Sequence, residues 1–160
     1  MKKIPLSGKN GKGKFVLVDD EDYERAMQYS WYFYCGKYAA TSYREKGKNP
    51  KTLLMHRFIL PPGSKIVDHI NHNGLDNRKE NLRICTYQEN SRNQKSKVGS
   101  SKYKGVSFHK TQNKFFAYIR HNGKLMYLGR FDTQEMAAIT YNAKAKELFG
   151  EFAFLNDVKC

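Results

Sequence analysis

Cysteine is scarce and poorly spaced for pairing. Cys35, Cys85 and Cys160 are odd in number, lie far apart and form no Cys-x-x-Cys. That argues against a disulfide framework and against a zinc ribbon. Acidic side chains are also few, 15 Asp plus Glu against 29 Lys plus Arg, for a formal net charge of +14 over 160 residues. No apolar run approaches the ~20 residues of a membrane span, so no membrane partner is expected. The opening Met1-Lys2-Lys3-Ile4-Pro5 has no apolar core after it, and the expectation is a chain without a secretory signal, with its thiols reduced.

What is present points to a folded, basic protein. Hydrophobic residues make up 39% and aromatics 14% of the chain, richer in aromatics than a disordered one. The excess charge is spread out: residues 1–60 carry +6, residues 61–100 carry +3 and residues 101–160 carry +5. No single tail holds it, so the folded surfaces themselves should be basic. Such surfaces suit a polyanion, most often nucleic acid held through many phosphates, although a merely basic soluble protein has the same composition.

The segment Gln94 to Lys102 is polar, small-residue-rich and basic, with one apolar residue, and reads as a linker between parts at 1–95 and 103–157. In the first part, Phe15 to Val18 reads as a strand, and Asp19 to Asp22 as the acidic N-terminus of a helix rather than as a site. Lys65 to Ile70 alternates like a strand, a long polar loop follows, and Leu82 to Cys85 returns as a second strand. Thr86 and Glu89 have capping-box spacing, which predicts a helix from about Tyr87 to Gln94. In the second part, strands are predicted at Tyr103 to Phe108, Lys114 to Arg120 and Lys124 to Arg130. Asn122-Gly123 marks a hairpin between the last two. Asp132 to Glu135 opens a helix with an apolar stripe at Ala137, Tyr141, Ala145 and Leu148, and Gly150 stops it. Both parts are α+β, the second being three antiparallel strands on one helix.

Four residues fall on a strand, a loop and a helix in the order that one metal site requires. Asp68 and His69 are adjacent, Asn81 ends the loop, and Asn90 lies on the helix. Asp68 and Asn90 offer a carboxylate and an amide oxygen to a hard divalent cation. His69 belongs to the one side-chain type with an intrinsic pKa near neutrality, and it could take a proton from an attacking water. Asn81 has no acid–base chemistry, but its amide can tie down the loop. Taken singly, each is an ordinary surface or loop residue; together they suit phosphodiester hydrolysis. Near them, His56 reads as packed beside the hairpin or touching phosphate, His72 as a loop residue, and Asn93 as a possible support for the metal shell.

The run Val67-Asp68-His69-Ile70-Asn71, then Asn77-Arg78, then Asn81-Leu82-Arg83, then Asn90 and Asn93, resembles the HNH nuclease motif of the ββα-metal superfamily. It is most similar to the phage and intron-encoded homing endonucleases, and Leu54 to Phe58 resembles another segment of that group. The resemblance implies that Asp68 and Asn90 bind one divalent metal, Mg2+ or Mn2+, that His69 is the general base and that Asn81 orients the loop. It also implies no structural zinc, because the cysteine pairs of some relatives are missing. The expected setting is the cytoplasm of a bacterial or phage-infected cell.

Tyr103 to Val106, Ala117 to Arg120, Tyr127 to Thr133, Ala137-Ala138, Tyr141 and Asn156 resemble the APETALA/ethylene-response-factor DNA-binding domain. In that family the exposed sheet face enters the major groove, a fit that a strand ribbon allows. The resemblance places Lys104, Ser107, His109, Tyr118, Arg120 and Tyr127 at groove-facing positions. The combined expectation is a metal-dependent, site-directed endonuclease on double-stranded DNA, a monomer or weak dimer. The alternative is a non-catalytic, sequence-specific regulator of transcription using the sheet alone.

Overall fold

The computed structural model describes residues 1–95 and 99–159, so the middle of the expected linker, residues 96–98, lies outside the described residues. The chain divides into two compact units, Met1–Tyr87 and Gln88–Cys160. Both are mixed α/β.

In the first unit, β1 (Lys2–Pro5) and β2 (Phe15–Val18) pair antiparallel, with Ile4 opposite Val16. Their inward residues Ile4, Val16 and Val18 are buried, as period-two alternation requires. Helix α1 (Asp20–Met27) starts on the acidic run, which is a helix N-terminus as expected: Asp22 pairs with Arg25 at 2.6 Å and Lys79 reaches both Glu21 and Asp22. Strands β3 (Tyr32–Tyr34), β4 (Tyr38–Tyr43) and β5 (Lys51–Leu54) form a second small sheet, followed by the short helix α2 (Met55–Ile59). Trp31 is wholly buried at the centre of this unit, and its indole Nε1 donates to the carbonyl of Ala26 at 2.8 Å. That bond satisfies the one polar group such a large side chain brings inside. Val67 and Leu82 extend the same core to a hairpin of β6 (Ile66–His69) and β7 (Leu82–Cys85), in which Asp68 faces Arg83 and His69 faces Leu82.

Helix α3 (Tyr87–Asn93) begins at the last residue of the first unit and otherwise belongs to the second. There, β8 (Val106–His109), β9 (Lys114–His121) and β10 (Lys124–Phe131) form an antiparallel sheet in the order β10-β9-β8. The β9–β10 turn is as expected, with φ of 48° at Asn122 and 79° at Gly123, the left-handed pair that matches strand twist. Helix α4 (Gln134–Phe149) is capped by Thr133, whose side chain accepts from the Met136 amide at 3.2 Å. Ala137, Ala138, Tyr141, Ala145 and Phe149 pack it on the Val106, Ala117 and Ile119 face of the sheet.

One strand starts later than expected. Tyr103 to Gly105 is a turn, with the Tyr103 amide on Ser101 Oγ, the Lys104 amide on Asn156 Oδ1 at 2.7 Å, and Gly105 at a φ of 76°. Those amides serve side-chain acceptors and make no ladder, so β8 begins at Val106.

Candidate active site

Asparagine and aspartate side chains make many of the hydrogen bonds that hold the loop between β6 and β7. Asn71 Oδ1 accepts from the Asn73 amide at 2.8 Å, and Asn73 Oδ1 accepts from the Leu75 amide at 3.1 Å. These local side-chain turns suit residues that favour irregular backbone. Asp76, 3% exposed, takes two donors from Arg78 at 2.8 Å each and one from Asn71 Nδ2 at 2.9 Å. The Arg78 guanidinium holds the Asp76 carboxyl below the usual carboxylate range. Gly74 sits where nothing larger fits: a Cβ there would lie 2.4 Å from the Lys37 carbonyl and 2.7 Å from the Tyr38 ring.

Asn81 closes this loop at its base. Its Oδ1 accepts from the Asn71 amide at 2.9 Å, and its Nδ2 donates to the Asp76 carbonyl at 2.7 Å. Both ends of the amide are thus used across the loop, while the Ile70 amide donates to the Asn81 carbonyl. The loop is also stitched to β2, where the Leu17 amide donates to Leu75 and the Asn77 amide donates to Leu17, each at 2.8 Å.

Asp68 and His69 occupy adjacent positions on β6, and both are buried. Arg83, directly across the ladder, donates from Nε at 3.1 Å and from Nη2 at 2.8 Å to Asp68 Oδ2. His69, 4% exposed, has Nε2 3.4 Å from Asn77 Oδ1. The Asn77 amide is oriented by its own donation to the Gly74 carbonyl at 3.4 Å. An acceptor at Nε2 selects the neutral tautomer with its proton there, so that Nδ1 is the basic nitrogen. Burial pushes the His69 ring below its ordinary value, while the Asn77 contact and the Asp68 charge partly oppose that shift.

Two aromatic neighbours fix the plane of this ring. His56, on α2, meets it edge-on with centroids 5.0 Å apart at 87°, and Tyr38 lies 5.9 Å away. His56 is therefore packed beside the hairpin. Its burial, together with the His69 ring, pulls it down to about 3. It is neutral at physiological pH and contributes shape. His72 lies in the loop at a left-handed φ of 64°, and its amide donates to the His69 carbonyl. Asn90 is half-buried on α3, and Asn93 on the same helix is buried. Among the described residues, no group of three or more His, Cys, Asp and Glu is placed to hold a metal. The donors on the motif are a carboxylate and an amide oxygen, a set that fits a hard divalent cation.

In the second unit, the sheet face opposite α4 carries Ser107, His109, Phe116, Tyr118, Arg120 and Tyr127. Tyr118 and Tyr127 pair directly, with rings 5.5 Å apart, and His109 lies 5.2 Å from Phe116. Arg120 is exposed, and its Nη1 donates to the Gly123 carbonyl at 3.1 Å. Lys104 departs from the expected groove-facing placement. Its ammonium is half-buried and donates to the carbonyls of Arg92 at 2.6 Å and Gln94 at 2.7 Å. In its place the face gains Arg130. A bulge between Tyr127 and Gly129 brings Arg130 opposite Phe116, on the face it would otherwise leave. Simple alternation from Tyr127 points Arg130 the other way, so only the bulge reveals it. Asn77, Arg83 and Arg130 are the residues that sequence reasoning left without a role; Asn77 and Arg83 were visible as motif members only.

Comparison with known proteins matches residues 46–92 to the HNH endonuclease family and residues 101–151 to the AP2 domain. A protein of Acanthamoeba polyphaga mimivirus named "Uncharacterized HNH endonuclease L560" is 37% identical over 155 residues, covering 92% of this chain and 78% of its own length. "Protein 3.8" of Escherichia phage T7 is 33% identical over 93 residues, covering 58% of this chain and 76% of its own. With its motif on a hairpin locked by Asn81 and with that long match, the chain belongs to the HNH endonuclease family, as a DNA nuclease that also carries an AP2 domain.

Proposed function

We propose that this nuclease is a metal-dependent, site-directed enzyme of the homing type, in which the first unit cuts double-stranded DNA and the sheet of the second selects the site. The observation that carries the reading is the setting of His69. It is a buried neutral imidazole, with Nε2 turned to an oriented amide oxygen and its plane held by two rings. A general base must be unprotonated and held in orientation, and this setting supports that role for His69. His69 takes the proton of the attacking water at Nδ1. Asp68, steadied by Arg83, and Asn90 on the motif helix would hold one divalent cation, Mg2+ or Mn2+. That cation would polarise the phosphate and stabilise the leaving oxygen. Asn81 keeps the loop, and with it the strand carrying His69, in register.

Ser107, His109, Tyr118, Arg120, Tyr127 and Arg130 would face the major groove. The arginines supply base or phosphate contacts, and the aromatic rings supply contacts to sugars and thymine methyls. One such centre per chain cuts one strand, so a monomer nicks and a double-strand break needs two chains. The setting is the cytoplasm of a bacterial or phage-infected cell. The deciding experiment incubates supercoiled plasmid with the protein and Mg2+, with and without chelator. Nicked or linear product that disappears with chelator, and is absent for His69→Ala, supports the reading; intact plasmid under all conditions overturns it.

A further inference from the structure

Within the second unit, the C-terminal end of α3 is held by the side chain of Lys104. Lys104 Nζ donates to two carbonyls there, Arg92 at 2.6 Å and Gln94 at 2.7 Å, and lies 5.5 Å from the centre of the Phe154 ring. The last carbonyls of a helix have no partner within it and form the negative end of its dipole, so an ammonium is their natural complement. Arg92 adds a second tie, its guanidinium lying 4.8 Å from the centre of the Phe149 ring, on the final residue of α4.

Lys104 is itself anchored. Asn156 accepts from its amide at 2.7 Å and donates to its carbonyl at 3.1 Å, and Asn142 holds Asn156 in turn. The chain of contacts therefore runs from α4 through Asn142, Asn156 and Lys104 to the end of α3. Asn90 lies two residues before Arg92 on that helix. Burial pulls the Lys104 ammonium down to about 8, as befits a group withdrawn from water rather than displayed to a phosphate.

We propose that Lys104 is a positioning residue for cleavage: from within the DNA-reading unit it fixes the end of α3, and so the orientation in which that helix presents Asn90. This rests on the reading of Asn90 as a metal ligand. A nuclease so built ties the placement of one ligand-bearing helix to the module that holds DNA. Lys104 acts by geometry and touches neither DNA nor the reacting phosphate.

The test uses the full chain. For Lys104→Met, affinity for a labelled duplex should stay within about twofold, while single-turnover cleavage of bound DNA falls at least about tenfold, the scale of a displaced catalytic group. Lys104→Arg, which keeps a cation at the two carbonyls, should recover most of the rate. Hydrogen exchange of the α3 amides, measured without DNA or metal, should quicken in Lys104→Met and not in Lys104→Arg. Parallel loss of affinity and cleavage with a flatter salt dependence would make Lys104 a phosphate contact and overturn the proposal, as would unchanged cleavage and exchange. Asn90→Ala is the separate control. If it cleaves like the wild type, the ligand reading fails and the catalytic role of Lys104 with it, while faster exchange in Lys104→Met would still report the clamp.

Discussion

Asn77 and His69 face each other across 3.4 Å, amide oxygen to Nε2, and both are buried. The contact joins the middle of the loop to the end of β6. An amide oxygen can only accept, so the contact favours a proton on Nε2, and the Asn77 amide is itself oriented by the Gly74 carbonyl. Asn77→Leu keeps the approximate volume and removes the acceptor. Single-turnover cleavage should fall by about 10²-fold, the cost of a misplaced catalytic group, with DNA affinity unchanged. A wild-type rate in this variant would remove Asn77 from the site.

His69→Ala should lower cleavage by about 10²–10⁴-fold and leave DNA binding nearly intact, since a general base acts on the chemical step. As the proposed base, His69 would act while unprotonated. Its burial lowers the point of protonation below the ordinary 6.5. The rate should therefore rise with pH and level off below pH 6.5. A profile still climbing through pH 7 in saturating Mg2+ would contradict this setting.

His56 makes stability depend on pH in a stated direction. Its value is near 3 in the fold against 6.5 in the unfolded chain. Between these limits the unfolded chain binds a proton that the folded chain refuses. Stability is thus retained above about pH 6.5 and lost as pH falls, by up to ~1.4 kcal/mol per pH unit from this group. Denaturant melts at pH 7 and pH 5 should show the loss, and His56→Phe should reduce it.

Asn81→Ala breaks two hydrogen bonds at once, those with the Asn71 amide and the Asp76 carbonyl. Leaving such buried groups unsatisfied costs about 1–3 kcal/mol each. Melting of the first unit should shift down by that order, and cleavage should fall with it. Asn81→Asp, which keeps the acceptor and loses the donor, should lie between the two.

Arg130→Ala tests the face that the bulge creates. Binding should weaken, and if Arg130 meets phosphate the slope of log affinity against log salt should flatten by about one. Full affinity in this variant would place the DNA elsewhere.

Local signals carried much of this architecture in the sequence. Alternation at Lys65 to Ile70, the Asn122-Gly123 turn and the helix-opening run Asp132 to Glu135 each depend on residues a few positions apart, and a strand, a hairpin and a helix lie at those places. The pairing of Asp68, His69 and Asn81 with a hairpin and its loop was legible for the same reason. Other features depended on contacts that no local pattern encodes. Asn77 reaches His69 only because β2 holds the loop, and His56 does so only because α2 folds back onto the hairpin. Lys104 looked like a groove residue by its motif position, yet the end of α3 claims its ammonium. Arg130 was hidden by one inserted residue, since a bulge reverses every facing rule beyond it.

The backbone of Leu17 supports the loop on both sides, accepting from Asn77 and donating to Leu75. Leu17 belongs to a hairpin that bears none of the motif residues. A fragment beginning after Val18 would retain Asp68, His69, Asn81 and Asn90 and still lose the mould against which Asn77 is cast. The structure that supports the motif loop is therefore larger than the motif itself, because it includes the backbone of a strand in the first eighteen residues.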